Sequence, residues 1–74
     1  IPENISEINI KSEKKIIEIM VLNNMVSSNG EAKRMIKQGA VKINNEKVSD
    51  LNINIFPGKE TILKVGKRKF LKIN

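Results

Sequence analysis

The chain has 74 residues, a formal charge of +6, 39% hydrophobic and 3% aromatic residues, and neither cysteine nor histidine. A chain this short makes one small domain that buries a modest share of its surface, and its composition excludes disulfide staples, the usual zinc sites and any Cys-His or Ser-His catalytic pair. The core has to come from aliphatics, chiefly isoleucines, with Phe56 and Phe70 the sole aromatics.

The charge is unevenly placed. Residues 1–32 hold three lysines and five glutamates, a balance of −2, whereas residues 33–74 hold eleven Lys/Arg and three acids, a balance of +8. An AT-biased genome would also enrich Ile, Asn and Lys and raise the charge, but it would not concentrate the charge in one half. The positive field belongs to the second half and points to an anionic partner.

Residues 1–11 carry no sustained helical stripe, and Pro2 suits an extended arm or linker. The domain proper is expected over 12–74. The chain opens on Ile1-Pro2 without a methionine, which reads as a piece of something longer. Ser12, followed by Glu13-Lys14-Lys15, has the form of a helix N-cap with a solvated first turn. Ile16, Ile17, Ile19, Met20 and Val21 then predict a largely buried helix. Asn24 fits a left-handed residue just past its end, with Met25 and Val26 folding back over it.

A second helix start is marked by Ser28 and Glu31, the S-x-x-E spacing of a capping box in which hydroxyl and carboxylate satisfy leftover backbone N–H groups. Ala32, Met35 and Ile36 make an apolar stripe at helical spacing. Lys33, Arg34 and Lys37 fall on the other surface, where a cationic head reaches outward while its stem packs on the protein. Gly39 ends the helix, because a left-handed terminal residue is unstrained only as glycine.

Beyond Gly39 the period changes to two. Val41-Lys42-Ile43-Asn44 predicts a half-buried strand with Lys42 and Asn44 on one face. Asn44-Asn45 suits a tight hairpin into Lys47-Val48. Ile53 and Ile55 suggest a brief strand before the Phe56-Pro57-Gly58 turn. Residues 61–65 and 69–73 are the clearest strands, closed by Gly66-Lys67-Arg68. The expected fold class is α+β, two helices packed on a small, mostly antiparallel sheet.

A capped basic helix joined to a basic strand points to RNA, with the basic tip Lys67-Arg68-Lys69 as a second contact. The bland alternatives are an ordinary amphipathic helix with a solvated outer face and a charged turn that keeps a sheet end soluble. With no aromatic in the motif, shape recognition of a folded RNA fits better than base stacking. No run approaches the roughly 18 apolar residues of a membrane span and no signal peptide pattern opens the chain, so a soluble cytoplasmic setting without membrane contact is expected. Nothing pairs a nucleophile with a base or sets two carboxylates together, so the chain alone is not expected to be an enzyme and needs no cofactor.

The order helix, then Ser28-x-x-Glu31-Ala32-Lys33-Arg34-x-Ile36-x-Gln38-Gly39-x-Val41-x-Ile43-Asn44, then a short sheet, resembles the S4-type (αL) RNA-binding domain over about residues 16–73. Within that superfamily, Ile1-Pro2-Glu3, the segment Glu31 to Gly39, and Gly66-Lys67-Arg68-Lys69-Phe70 resemble the C-terminal domains of bacterial-type tyrosyl-tRNA synthetases. The resemblance implies tRNA, specifically tRNA-Tyr, as partner, held near its anticodon stem and long variable arm. It also implies a parent ligase that uses ATP in a separate catalytic domain and forms a homodimer through domains outside this chain. The RNA-binding positions it implies are Ser28, Lys33, Arg34, Lys37, Gln38, Lys42 and Asn44, with Lys67, Arg68 and Lys69 beside them.

Three positions depart from the pattern. Asn29 stands where a basic residue is usual, removing one expected phosphate contact, while Ala40 and Asn45 replace glycines at places where each is conformationally tolerable. The alternatives are another S4-bearing protein, such as a ribosomal protein or pseudouridine synthase, and a cationic module for acidic protein or anionic membrane. Neither helix has the long, Lys-faced, bulky-apolar pattern of an interfacial anchor.

Overall fold

The computed structural model describes residues 5–74. Ile1, Pro2 and Glu3, which carry part of the family resemblance, and the first residues of the expected arm lie outside the described residues.

Helix α1 spans Ile16–Leu22 and helix α2 Asn29–Lys37. The strands are β1 (Ser6–Ile8), β2 (Lys14–Lys15), β3 (Val41–Ile43), β4 (Glu46–Lys47), β5 (Asn54–Ile55), β6 (Thr61–Val65) and β7 (Lys69–Ile73). Five of them form one sheet in the order β1-β7-β6-β3-β4, and β2 pairs with β5 in a separate ribbon. All pairings are antiparallel except β1 with β7, which is parallel. This is the expected small α+β domain.

The core lies between the helices and one face of the large sheet. Ile16, Ile19 and Met20 from α1, and Ala32 and Ile36 from α2, meet Val41, Leu63, Val65, Leu71 and Ile73, all buried. The strand period leaves the alternate positions of the same strands on the opposite face. Neither aromatic enters the core: Phe56 is 58% exposed and Phe70 is half-buried.

Both helices end as their residues predict. In α2 the Ala40 N–H donates to the Met35 carbonyl at 3.0 Å and Gly39 N–H to Ile36 at 3.0 Å, with Gly39 at φ +75°. Helix α1 repeats this with Asn24 at φ 58°, Met25 N–H donating to the Met20 carbonyl at 2.9 Å. These bond pairs satisfy carbonyls that a helix end otherwise leaves unpaired.

The start of α1 corrects the sequence reading. Ser12 is not its N-cap: the helix begins at Ile16, and Lys15 occupies the cap position with no side-chain cap bond. Lys14 and Lys15 are instead extended, paired with Ile55 and Asn54. The Ile16 N–H donates to the Ile53 carbonyl at 3.0 Å, so a distant strand supplies what a serine would have supplied locally. The expected arm also differs over residues 6–8. They form β1, in register Ser6 to Leu71, Glu7 to Lys72 and Ile8 to Ile73, and Ile10 N–H donates to the Asn74 carbonyl.

Candidate nucleic-acid interface

Helix α2 is anchored by its capping box and its apolar stripe. Glu31 N–H donates to Ser28 Oγ at 3.2 Å. The reciprocal bond reaches one residue further back than the motif implies, with the Ser27 N–H and hydroxyl donating to the Glu31 carboxylate at 3.0 and 3.3 Å. Burial of Ala32 and Ile36 then fixes the helix's rotation, leaving Lys33, Arg34, Lys37 and Gln38 turned outward.

The turn after α2 brings this helix end to the sheet. Gly66 N–H donates to the Ala40 carbonyl at 2.7 Å, tying the β6-β7 hairpin to the helix exit. An open groove of ≈ 410 Å³ results, in which Gln38, Lys42, Lys64 and Lys67 surround the backbone of Gly39, Ala40 and Gly66. Three of those side chains were expected from the sequence; Lys64 was not. Its signal was the alternation of Thr61–Val65, which puts Thr61, Leu63 and Val65 inside and Lys64 outside. Lys47 also reaches this corner: its Cε and Nζ lie 3.0 and 3.1 Å from where a Cβ on Gly39 would stand.

The remaining expected residues are dispersed. Lys33 lines a groove on the α1 side with Lys15, Glu18 and Leu22, the last 68% exposed. Arg68 and Lys69 line a separate groove with Met25 and Glu31, which adjoins the groove of Gln38 and Lys42 at Gly66 and Lys67. The Lys69 ammonium donates to the Met25 carbonyl at 3.0 Å and so ties the hairpin to the α1-α2 connection.

Asn44 leaves the face it was expected to share with Lys42. At φ 50° it is already in the hairpin turn, followed by Asn45 at φ 72°. Its Oδ1 accepts the Ile62 N–H at 2.9 Å while its own N–H donates to the Ile62 carbonyl at 2.9 Å. It closes the end of the β3-β6 ladder.

The surface opposite the helices has a charged and a neutralised side. Lys72 forms an ion pair with Glu60 at 2.8 Å. The hydrogen bond and charge of Glu60, and then the charge of Glu7, raise its pKa above the ordinary lysine value. Among the described residues no acid lines the Gln38/Lys42/Lys64/Lys67 groove. Such a surface suits binding of polyanions by charge and hydrogen bonding. Among the described residues no group of acids, histidines or cysteines is placed to hold a metal ion, and no helix is long and apolar enough to cross a membrane.

Comparison with known proteins gives one consistent family. The model of the tyrosine–tRNA ligase SYY-like C-terminal domain matches residues 1–73. The chain is 39% identical to the tyrosine–tRNA ligase of Thermotoga maritima over 74 residues, covering 100% of this chain and 18% of that protein. It is 44% identical to the ligase of Francisella tularensis and 46% identical to tyrosine–tRNA ligase 2 of Pseudoalteromonas translucida, covering 99% of this chain and 18% and 19% of those proteins. The chain thus spans less than a fifth of the length of these relatives.

Proposed function

Because this chain belongs to the SYY-like C-terminal domain family of tyrosine–tRNA ligases, we propose that it is a docking module for tRNA, and for tRNA-Tyr in particular. The observation that carries the reading is the acid-free groove at the exit of α2, where Gln38, Lys42, Lys64 and Lys67 converge beside the exposed Arg34 and Lys37. In this reading Lys33, Arg34, Lys37 and Lys42 hold phosphates, Arg34 through the two-pronged geometry of its guanidinium. Gln38 hydrogen-bonds to sugar or exposed base edges, and Lys67 and Arg68 extend the phosphate track along the hairpin. Ser28, Asn44 and Lys69 act through the structure, each with a polar atom engaged inside the chain.

The relatives' names extend the proposal to a parent enzyme. We infer an ATP-dependent tyrosine–tRNA ligase of the cytoplasm, homodimeric through domains outside this chain, in which this module orients tRNA for a separate catalytic domain. Replacing both helix cations, Arg34→Glu with Lys37→Glu, tests the face. Binding to every RNA should weaken, and the log–log salt dependence should flatten by about 2, near 0.9 for each phosphate no longer neutralised. Unchanged binding by the double variant would remove α2 from the interface.

A further inference from the structure

The face of the sheet turned away from the helices carries a row that the RNA-docking reading uses only in part, through Lys42 and Lys64. Lys47, Lys42, Lys64 and Phe70 stand directly opposite one another on β4, β3, β6 and β7. Opposed residues on neighbouring strands share a face and lie about 4.8 Å apart across the sheet. Three lysine positions are therefore aligned over about 10 Å of sheet.

Like charges placed directly opposite are destabilising, so the row calls for a reason beyond the fold. Lysines often guard exposed sheet edges. That accounts for Lys47 on the edge strand β4, but β3 and β6 are interior strands, so Lys42 and Lys64 guard nothing. The one ion pair among the described residues is Lys72 with Glu60, further along the same face. None of Lys47, Lys42 and Lys64 has an acid partner there. At the row's far end, the Lys64 ammonium sits 5.4 Å from the centroid of the Phe70 ring, a contact that holds the cation over the sheet.

We propose that Lys47, Lys42 and Lys64 form a phosphate track that extends the groove, carrying one RNA strand from the exit of α2 across the open face of the sheet. The track is continuous with the groove: Lys42 and Lys64 line both, and Lys47 lies over Gly39. It stops at β7, where Glu60 and Glu7 neutralise Lys72. The inference rests on the RNA-docking reading and adds the sheet face to its footprint.

The test is the pair Lys47→Gln with Lys64→Gln, measured in the 74-residue chain by salt titration of tRNA binding and by thermal melting. Removing two phosphate-neutralising cations should lower the log–log slope by about 1.8, near 0.9 for each, and weaken binding roughly 60-fold at about 0.1 M salt. The variant should melt close to the parent chain, because relief of like-charge opposition offsets the lost contact between Lys64 and the Phe70 ring. Unchanged affinity and slope, in a chain whose binding does respond to Arg34→Glu with Lys37→Glu, would overturn the sheet track, and with it Lys64 as an RNA contact, and leave the α2 face standing. Failure of the parent chain to bind tRNA at low salt would overturn both the track and the reading beneath it.

Discussion

Replacing Asn44 separates a structural residue from an RNA contact. Its Oδ1 accepts the Ile62 N–H at 2.9 Å, and its backbone sits at φ 50°. Alanine at this position loses the hydrogen bond, which contributes about 0.5–1 kcal/mol at so exposed a site. It also loses the local polar support that lets asparagine tolerate the left-handed region, a further cost of about 1 kcal/mol. Asn44→Ala should therefore destabilise the chain by roughly 1.5–2 kcal/mol, which for a domain of this size lowers Tm by roughly 6–16 °C. Asn44→Gly keeps the backbone conformation free of strain and loses the hydrogen bond, so its Tm should fall between those of Asn44→Ala and the parent chain. Thermal melts followed by circular dichroism read all three. An Asn44→Ala chain that melts with the parent yet binds tRNA much more weakly would refute the structural assignment and restore Asn44 as a direct RNA contact.

The caps and the ion pair give three further outcomes. Ser28→Ala removes the cap on Glu31 N–H and should cost about 1 kcal/mol in urea unfolding; an unchanged midpoint would mean that the Ser27 bonds to Glu31 alone suffice. Gly39→Ala forces a side chain to φ +75° and should cost about 1–2 kcal/mol, the Lys47 stem being flexible enough to move aside; equal stability would contradict helix termination by a left-handed Gly39. The raised pKa of Lys72 means that its pairing with Glu60 stabilises the fold fully below the unfolded lysine pKa and loses that contribution as pH rises through the higher folded value. Alkaline unfolding of Glu60→Gln should therefore show a weaker loss of stability with rising pH than the parent chain, and identical profiles would count against the ion pair.

What was legible in the sequence was local chemistry. The Ser28 cap on Glu31 N–H, the left-handed Asn24 and Gly39, the Asn44-Asn45 turn and the alternation of Thr61–Val65 each act within a few residues, and each appears as expected. Partners far apart along the chain were not legible. Ser12 has the chemistry of a cap, but Ile53 and β5 reach the Ile16 N–H and hold Lys14 and Lys15 extended. Two-residue strands such as β2 and β5 carry no period of their own. The same limit governed the interface. Lys33, Arg34 and Lys37 could be placed on a helix face from their spacing. Lys64 enters the groove because β6 pairs with β3, and Asn44 and Lys69 are engaged by Ile62 and Met25, 18 and 44 residues away.

The most direct test of the central proposal is a salt titration of this chain against a tRNA-Tyr transcript, with a long-variable-arm tRNA for another amino acid and an unrelated tRNA as competitors. The account predicts preference for tRNA-Tyr or for long-arm tRNAs, with a log–log slope that reports several phosphate contacts. Equal, weak binding to every RNA would contradict tRNA docking and leave only a generic basic surface.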